Sequence, residues 1–136
     1  MGKEDALNEK QLGNKAYAKK DFATAISHYE KAIQLDITEL TFHSNMAAVY
    51  FEMKDFEECV ACCKKAVEVG RENRADFKLV AKAMSRMGSA YRKLGKLAEA
   101  KAILEKALTE HKMPQAKQAF SEVEKAIAEE KKNRGI

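Results

Sequence analysis

The chain has 136 residues, of which 46% are hydrophobic and 34% charged, with a formal net charge of +4. That length suits one domain, and a single proline, six glycines and no tryptophan argue against turn-rich sandwiches and barrels. The mild, interleaved charge gives no footprint for nucleic acid, no apolar run approaches the roughly 18 residues of a membrane span, and the opening MGKEDALNEK lacks the apolar centre of a secretory signal.

Apolar and small residues recur at helical spacing along the whole chain, which predicts an all-α fold. In chain order the helices are expected at about 4–19, 22–35, 39–53, 56–69, 73–94, 97–111 and 114–133. Asp21 and Asp55 are natural N-caps, and Asp55 with Glu58 has capping-box spacing. Gly70 is expected to end the fourth helix and Gly95 to supply the turn after the fifth. Ala116, Phe120, Val123 and Ile127 form one apolar stripe backed by charges, as suits a final capping helix.

One small-residue phrase occurs three times, as KQLGNKAY, HSNMAAVYF and SRMGSAYRKLG. Its small residues are Gly13, Ala47 and Gly88; the first two lie 34 residues apart and the next two 41. A helix–turn–helix period of 34 is the spacing of tetratricopeptide arrays. The seven additional residues, RADFKLV (74–80), make about two helical turns. They are therefore expected to lengthen the fifth helix, not to form a loop.

The phrase resembles the tetratricopeptide family position by position. Leu12-Gly13, Met46-Ala47 and Met87-Gly88 occupy the Leu-Gly pair, and Tyr50 and Tyr91 the aromatic site after it. Ala25 with Tyr29, Cys59 with Cys63 and Ala100 with Leu104 take the packing positions of the second helices, and Ala32, Ala66 and Ala107 close the repeats. Glu9 and Ile37 stand where the family usually has Trp and Pro. The resemblance implies one domain over 1–136, a right-handed superhelix of three repeats (about 6–39, 40–73 and 74–114) with a cap at about 114–133 and a concave groove lined by the first helices.

In such a repeat the packing residues sit at positions 4, 7, 8 and 11, so positions 2, 5, 6 and 9 face the opposite side. Those positions hold Lys10, Asn14, Asn45, Lys82 and Arg86. Three cations and two amides suit an anion with two oxygens close together, such as a C-terminal Asp with its two carboxylates. The five residues match the carboxylate clamp of tetratricopeptide co-chaperones. EVGRENR (68–74) and the lengthened third repeat look most like the middle tetratricopeptide domain of the Hsp70–Hsp90 organising protein, or stress-induced phosphoprotein, family. The resemblance implies a cytoplasmic co-chaperone module that binds the Met-Glu-Glu-Val-Asp tail of heat shock protein 90. The alternatives are the tail of heat shock protein 70 and an internal segment of another partner. Tyr17, Thr41, Phe51 and Glu52 are secondary candidates for peptide contact, and Leu79 and Ser89 face similar territory.

Other chemistry has weaker support. Cys59, Cys62 and Cys63, odd in number and clustered, point to a reducing compartment. Cys59 and Cys63 fall at packing positions, where a free thiol behaves as a small hydrophobe. His28 and His43 lie on other helices and complete no zinc set, so no metal or cofactor is expected. Met46, Met84 and Met87 read as core. No phosphate loop, nucleophile elbow or pair of catalytic acids is present. An enzyme would have to rest on a reactive Cys62, so none is expected.

Overall fold

Seven helices follow one another in the computed structural model, which describes residues 2–135. They are α1 (Gly2–Ala18), α2 (Phe22–Leu35), α3 (Leu40–Glu52), α4 (Phe56–Glu72), α5 (Phe77–Lys93), α6 (Leu97–Glu110) and α7 (Pro114–Asn133). α1 packs on α2, α3 on α4 and α5 on α6, giving three helix pairs, and α7 covers the last pair. Successive pairs meet through α2–α3 and α4–α5, and α3 also touches α5. The result is the all-α array that the 34-residue period predicts.

The first and third pairs close because the first helix carries a glycine where the second presents a large side chain. A Cβ on Gly13 would lie 2.6 Å from Cε1 of Tyr29, and one on Gly88 would lie 2.5 Å from Cγ of Leu104. Ala47 and Cys63 make the equivalent positions of the middle pair, both fully buried. Tyr29, Cys63 and Leu104 are thereby sealed, and full burial of a side chain such as Leu104 contributes about 1.5–3 kcal/mol. The methionines Met46, Met84 and Met87 are buried between the pairs.

Local signals set most boundaries. The Asp21 carboxylate accepts from the Thr24 N–H at 3.4 Å, and Asp55 from the Glu58 N–H at 3.3 Å. The Asp55 N–H donates to Tyr50 O, so that cap takes one arm of a capping box. Gly95 has φ +77°, and Lys20 (φ 60°) and Lys54 (φ 63°) hold the same left-handed turn in the earlier pairs.

Two boundary expectations are corrected. α4 runs past Gly70 to Glu72, because the missing Cβ of Gly70 serves packing: a Cβ there would meet Val80 Cγ2 at 2.9 Å and Leu40 Cδ2 at 3.4 Å. The helix stops at Asn73, whose side chain donates to Val69 O at 2.9 Å. Of the seven residues 74–80, only Phe77–Val80 are helical, opening α5, while 74–76 connect it to α4, which is itself longer than α2. α5 begins at Phe77, where Asp76 accepts from the Lys78 N–H at 2.9 Å. α5 has 17 residues against 13 in α3, and α4 has 17 against 14 in α2. On α7 the buried stripe is Ala116, Ala119 and Val123, with Phe120 and Ile127 half-buried beside it.

Candidate functional site

α1, α3 and α5 each contribute to one polar surface. Lys10 and Asn14 stand one turn apart on α1, which puts them on the same face. Asn45 on α3 reaches Asn14: its Nδ2 donates to Asn14 Oδ1 at 3.4 Å. The same Asn14 oxygen accepts from the Tyr29 hydroxyl at 2.5 Å. Burial raises the Tyr29 pKa, so the phenol stays protonated and acts as a donor. With its oxygen engaged twice, the Asn14 amide turns its NH2 group to the remaining side.

On α5, Lys82 and Arg86 line a groove with Phe51, Leu79 and Ser89. Arg86 Nη1 donates to Ser44 O at 3.2 Å, which ties the guanidinium to α3 and fixes its direction. Tyr17 of α1 and Glu52 of α3 meet near it. The Tyr17 pKa is raised by burial and then by the charge and hydrogen bond of Glu52, with Arg86 acting in the opposite direction. Among the described residues Lys10, Lys82 and Arg86 form no ion pair. The surface thus offers cations and amide donors with little carboxylate to neutralise them.

The secondary candidates divide. Tyr17 packs on Phe22 with ring centroids 6.3 Å apart, and Phe51 on Phe56 at 5.2 Å, so each braces a helix pair, and Phe51 also lines the groove. Thr41 is engaged at the start of α3, where its hydroxyl donates to Glu39 Oε2 at 2.9 Å. The groove also has a wall that sequence reasoning missed: Lys78, His111, Met113 and Gln115. Lys78 lies in the inserted turn of α5 and the other three near the α6–α7 junction. Lys78 precedes and Gln115 follows the 34-residue register of the third repeat, and His111 and Met113 fall at its end, away from the first-helix positions 2, 5, 6 and 9.

The thiols have a packing environment. Cys59 and Cys63 are fully buried and Cys62 is 8% exposed. Burial, then the charge of Glu58, pushes the Cys62 thiol up to about 12. The hydrogen bond with Cys59, then burial, raises Cys63 further. A thiol in that range is not a nucleophile at neutral pH. Among the described residues no three metal-ligating side chains gather, and no helix is long and apolar enough to cross a membrane.

A stack of helix pairs with a cationic groove along α5 defines a repeat-built recognition module, and comparison with known proteins gives it a family. The tetratricopeptide repeat model matches residues 38–109, and a further TPR repeat model matches 13–54. The chain is 48% identical over 143 residues to stress-induced-phosphoprotein 1 of Caenorhabditis elegans, covering 96% of this chain and 45% of the relative. It is 50% identical over 125 residues to the Hsp70-Hsp90 organizing protein of Triticum aestivum, covering 89% and 22%. It therefore spans less than half the length of these curated relatives. Among solved structures, the N-terminal domain of stress-induced protein-1 from C. elegans superposes with TM-score 0.84 at 52% identity, covering 90% of this chain and 96% of that one. The TPR2AB-domain:pHSP90 complex of yeast Sti1 gives TM-score 0.87 at 37% identity, covering 93% and 48%. The first TPR of Spaghetti (RPAP3), bound to the HSP90 peptide SRMEEVD, gives 0.81 at 30%, covering 93% and 95%. The chain belongs to the tetratricopeptide-repeat family, as a domain of the stress-induced phosphoprotein and Hsp70-Hsp90 organizing protein group. That family is non-enzymatic.

Proposed function

We propose that the groove holds the extended C-terminal tail of a cytosolic chaperone, with Lys10, Asn14, Asn45, Lys82 and Arg86 as the carboxylate clamp. One observation carries the reading: three cations without ion-pair partners among the described residues and two coupled amides stand on three successive first helices. A C-terminal Asp brings an α-carboxylate and a side-chain carboxylate to such donors. Tyr17, Phe51 and Glu52 border the remainder of the tail, and Thr41 supports the start of α3. Charge-assisted hydrogen bonds are worth about 1.5–3 kcal/mol each, and a micromolar complex needs about −8 kcal/mol in total. A few clamp bonds with small apolar contacts therefore suffice, because rigid helix packing forms the groove before the ligand arrives.

The preferred occupant is the Met-Glu-Glu-Val-Asp end of heat shock protein 90. Support comes from the RPAP3 domain with its SRMEEVD peptide and from the yeast Sti1 complex. The alternative is a heat shock protein 70 tail, which the second RPAP3 TPR domain, 29% identical, carries as SGPTIEEVD. We read residues 1–136 as one domain, with repeats at about 6–39, 40–73 and 74–114, and as a cytoplasmic module. Correspondence to a middle domain draws on the likeness to yeast TPR2AB. The worm domain, more similar in sequence, is the N-terminal one of its own protein, so position along a parent chain has no weight in the assignment. Lys82→Ala or Arg86→Ala should weaken the tail about tenfold or more with helicity intact. Unchanged affinity in a folded variant would refute the clamp.

A further inference from the structure

The groove along α5 continues beyond the clamp. Its lining includes Lys78, from the first turn of α5, and His111, Met113 and Gln115 around the α6–α7 junction. The lining holds three permanent cations, Lys78, Lys82 and Arg86, and no carboxylate. The carboxylate of Asp76, close in sequence, is engaged as a helix cap by the Lys78 N–H. His111 is braced by Phe77, with ring centroids 5.8 Å apart, and Met113 is buried. Two carboxylates on one terminal residue cannot engage this whole wall as well as Lys10, Asn14 and Asn45. Cationic and amide groups without an acidic neighbour favour a further anionic side chain over a neutral one.

Resting on the tail-binding reading above, we infer that Lys78, His111 and Gln115 form a separate subsite that takes an acidic side chain of the bound peptide upstream of its terminal residue. The inserted turn of α5 is what brings Lys78 to this wall, so the lengthened third repeat creates the subsite. It makes the domain a reader of acidic tails, in addition to a reader of free C-termini.

The test is a calorimetric titration of wild type, Lys78→Ala, and the Lys78→Ala/His111→Gln pair. Each protein meets Met-Glu-Glu-Val-Asp and its two single Glu→Gln versions, all with free C-termini. The variants should bind the parent peptide about three- to tenfold more weakly and lose that deficit against one of the Gln peptides. Parent affinity equal to wild type, or the same deficit on all three peptides, would overturn the subsite while leaving the clamp in place. A further arm titrates wild type with the amidated parent peptide: affinity unchanged by amidation would instead remove the clamp reading, and the subsite with it. Circular dichroism on each variant separates lost contact from lost fold, and Gln115→Ala, on an exposed position, supplies an independent substitution.

Discussion

The hydroxyl of Tyr29 donates to Asn14 Oδ1 across the first helix pair, at 2.5 Å. A residue in a packing position thereby sets the orientation of one in the groove. Tyr29→Phe keeps the ring against Gly13 and removes only the donor. Thermal stability should fall by about 0.5–1.5 kcal/mol, while tail affinity should fall several-fold because the Asn14 amide is free to turn over. Calorimetry on the folded variant checks this, and unchanged affinity would show that Asn45 alone orients the amide.

Helix approach at the third pair depends on a missing methyl. Gly88→Ala places a Cβ 2.5 Å from Leu104 Cγ, well inside van der Waals contact, and should cost about 1–3 kcal/mol by overpacking. Adding Leu104→Ala makes room, so the double variant should be less destabilised than the sum of the single changes. Additive urea midpoints would mean that the two helices do not rely on this contact.

Acid should weaken the fold through His43. The side chain is 8% exposed. Burial, then the Lys65 charge, lowers its pKa below the ordinary 6.5, against a smaller opposing effect of Glu68. The unfolded chain then binds a proton that the folded chain refuses, so this contribution is intact above pH 6.5 and is lost as pH falls from there through the folded pKa. Urea midpoints should drop between pH 7.5 and pH 5 in wild type, and drop less in His43→Gln. Parallel pH curves would remove His43 as the cause.

The three thiols should be silent in the native domain. With Cys59 and Cys63 fully buried and the Cys62 pKa at about 12, an aromatic disulfide reagent at neutral pH should react only as fast as the domain opens. Fast labelling of Cys62 under native conditions would place it at an accessible site.

The sequence reveals the array because repetition multiplies a weak local signal. One Gly-Ala pair means little, but Gly13, Ala47 and Gly88 in register specify three helix approaches. Asp21 and Asp55 are legible for the same reason that they work, since a short carboxylate before an apolar run has one obvious use. The path of residues 70 to 76 is not legible. A glycine near a helix end reads as a stop, and only the packed neighbours Val80 and Leu40 show that Gly70 is there to let helices meet. Repeat register also hides Lys78, His111 and Gln115, which belong to an inserted turn and a junction. The Tyr29 hydroxyl escapes notice because its ring alone accounts for the position.

The account stands most directly on whether the groove recognises two carboxylates. Calorimetric titration with Met-Glu-Glu-Val-Asp, once with a free C-terminus and once amidated, measures that with a single chemical change. Micromolar binding of the free acid and a loss of about tenfold or more in the amide is the predicted result. Equal affinity for both, or none for either, would contradict it and reduce the five residues to a solvated polar face.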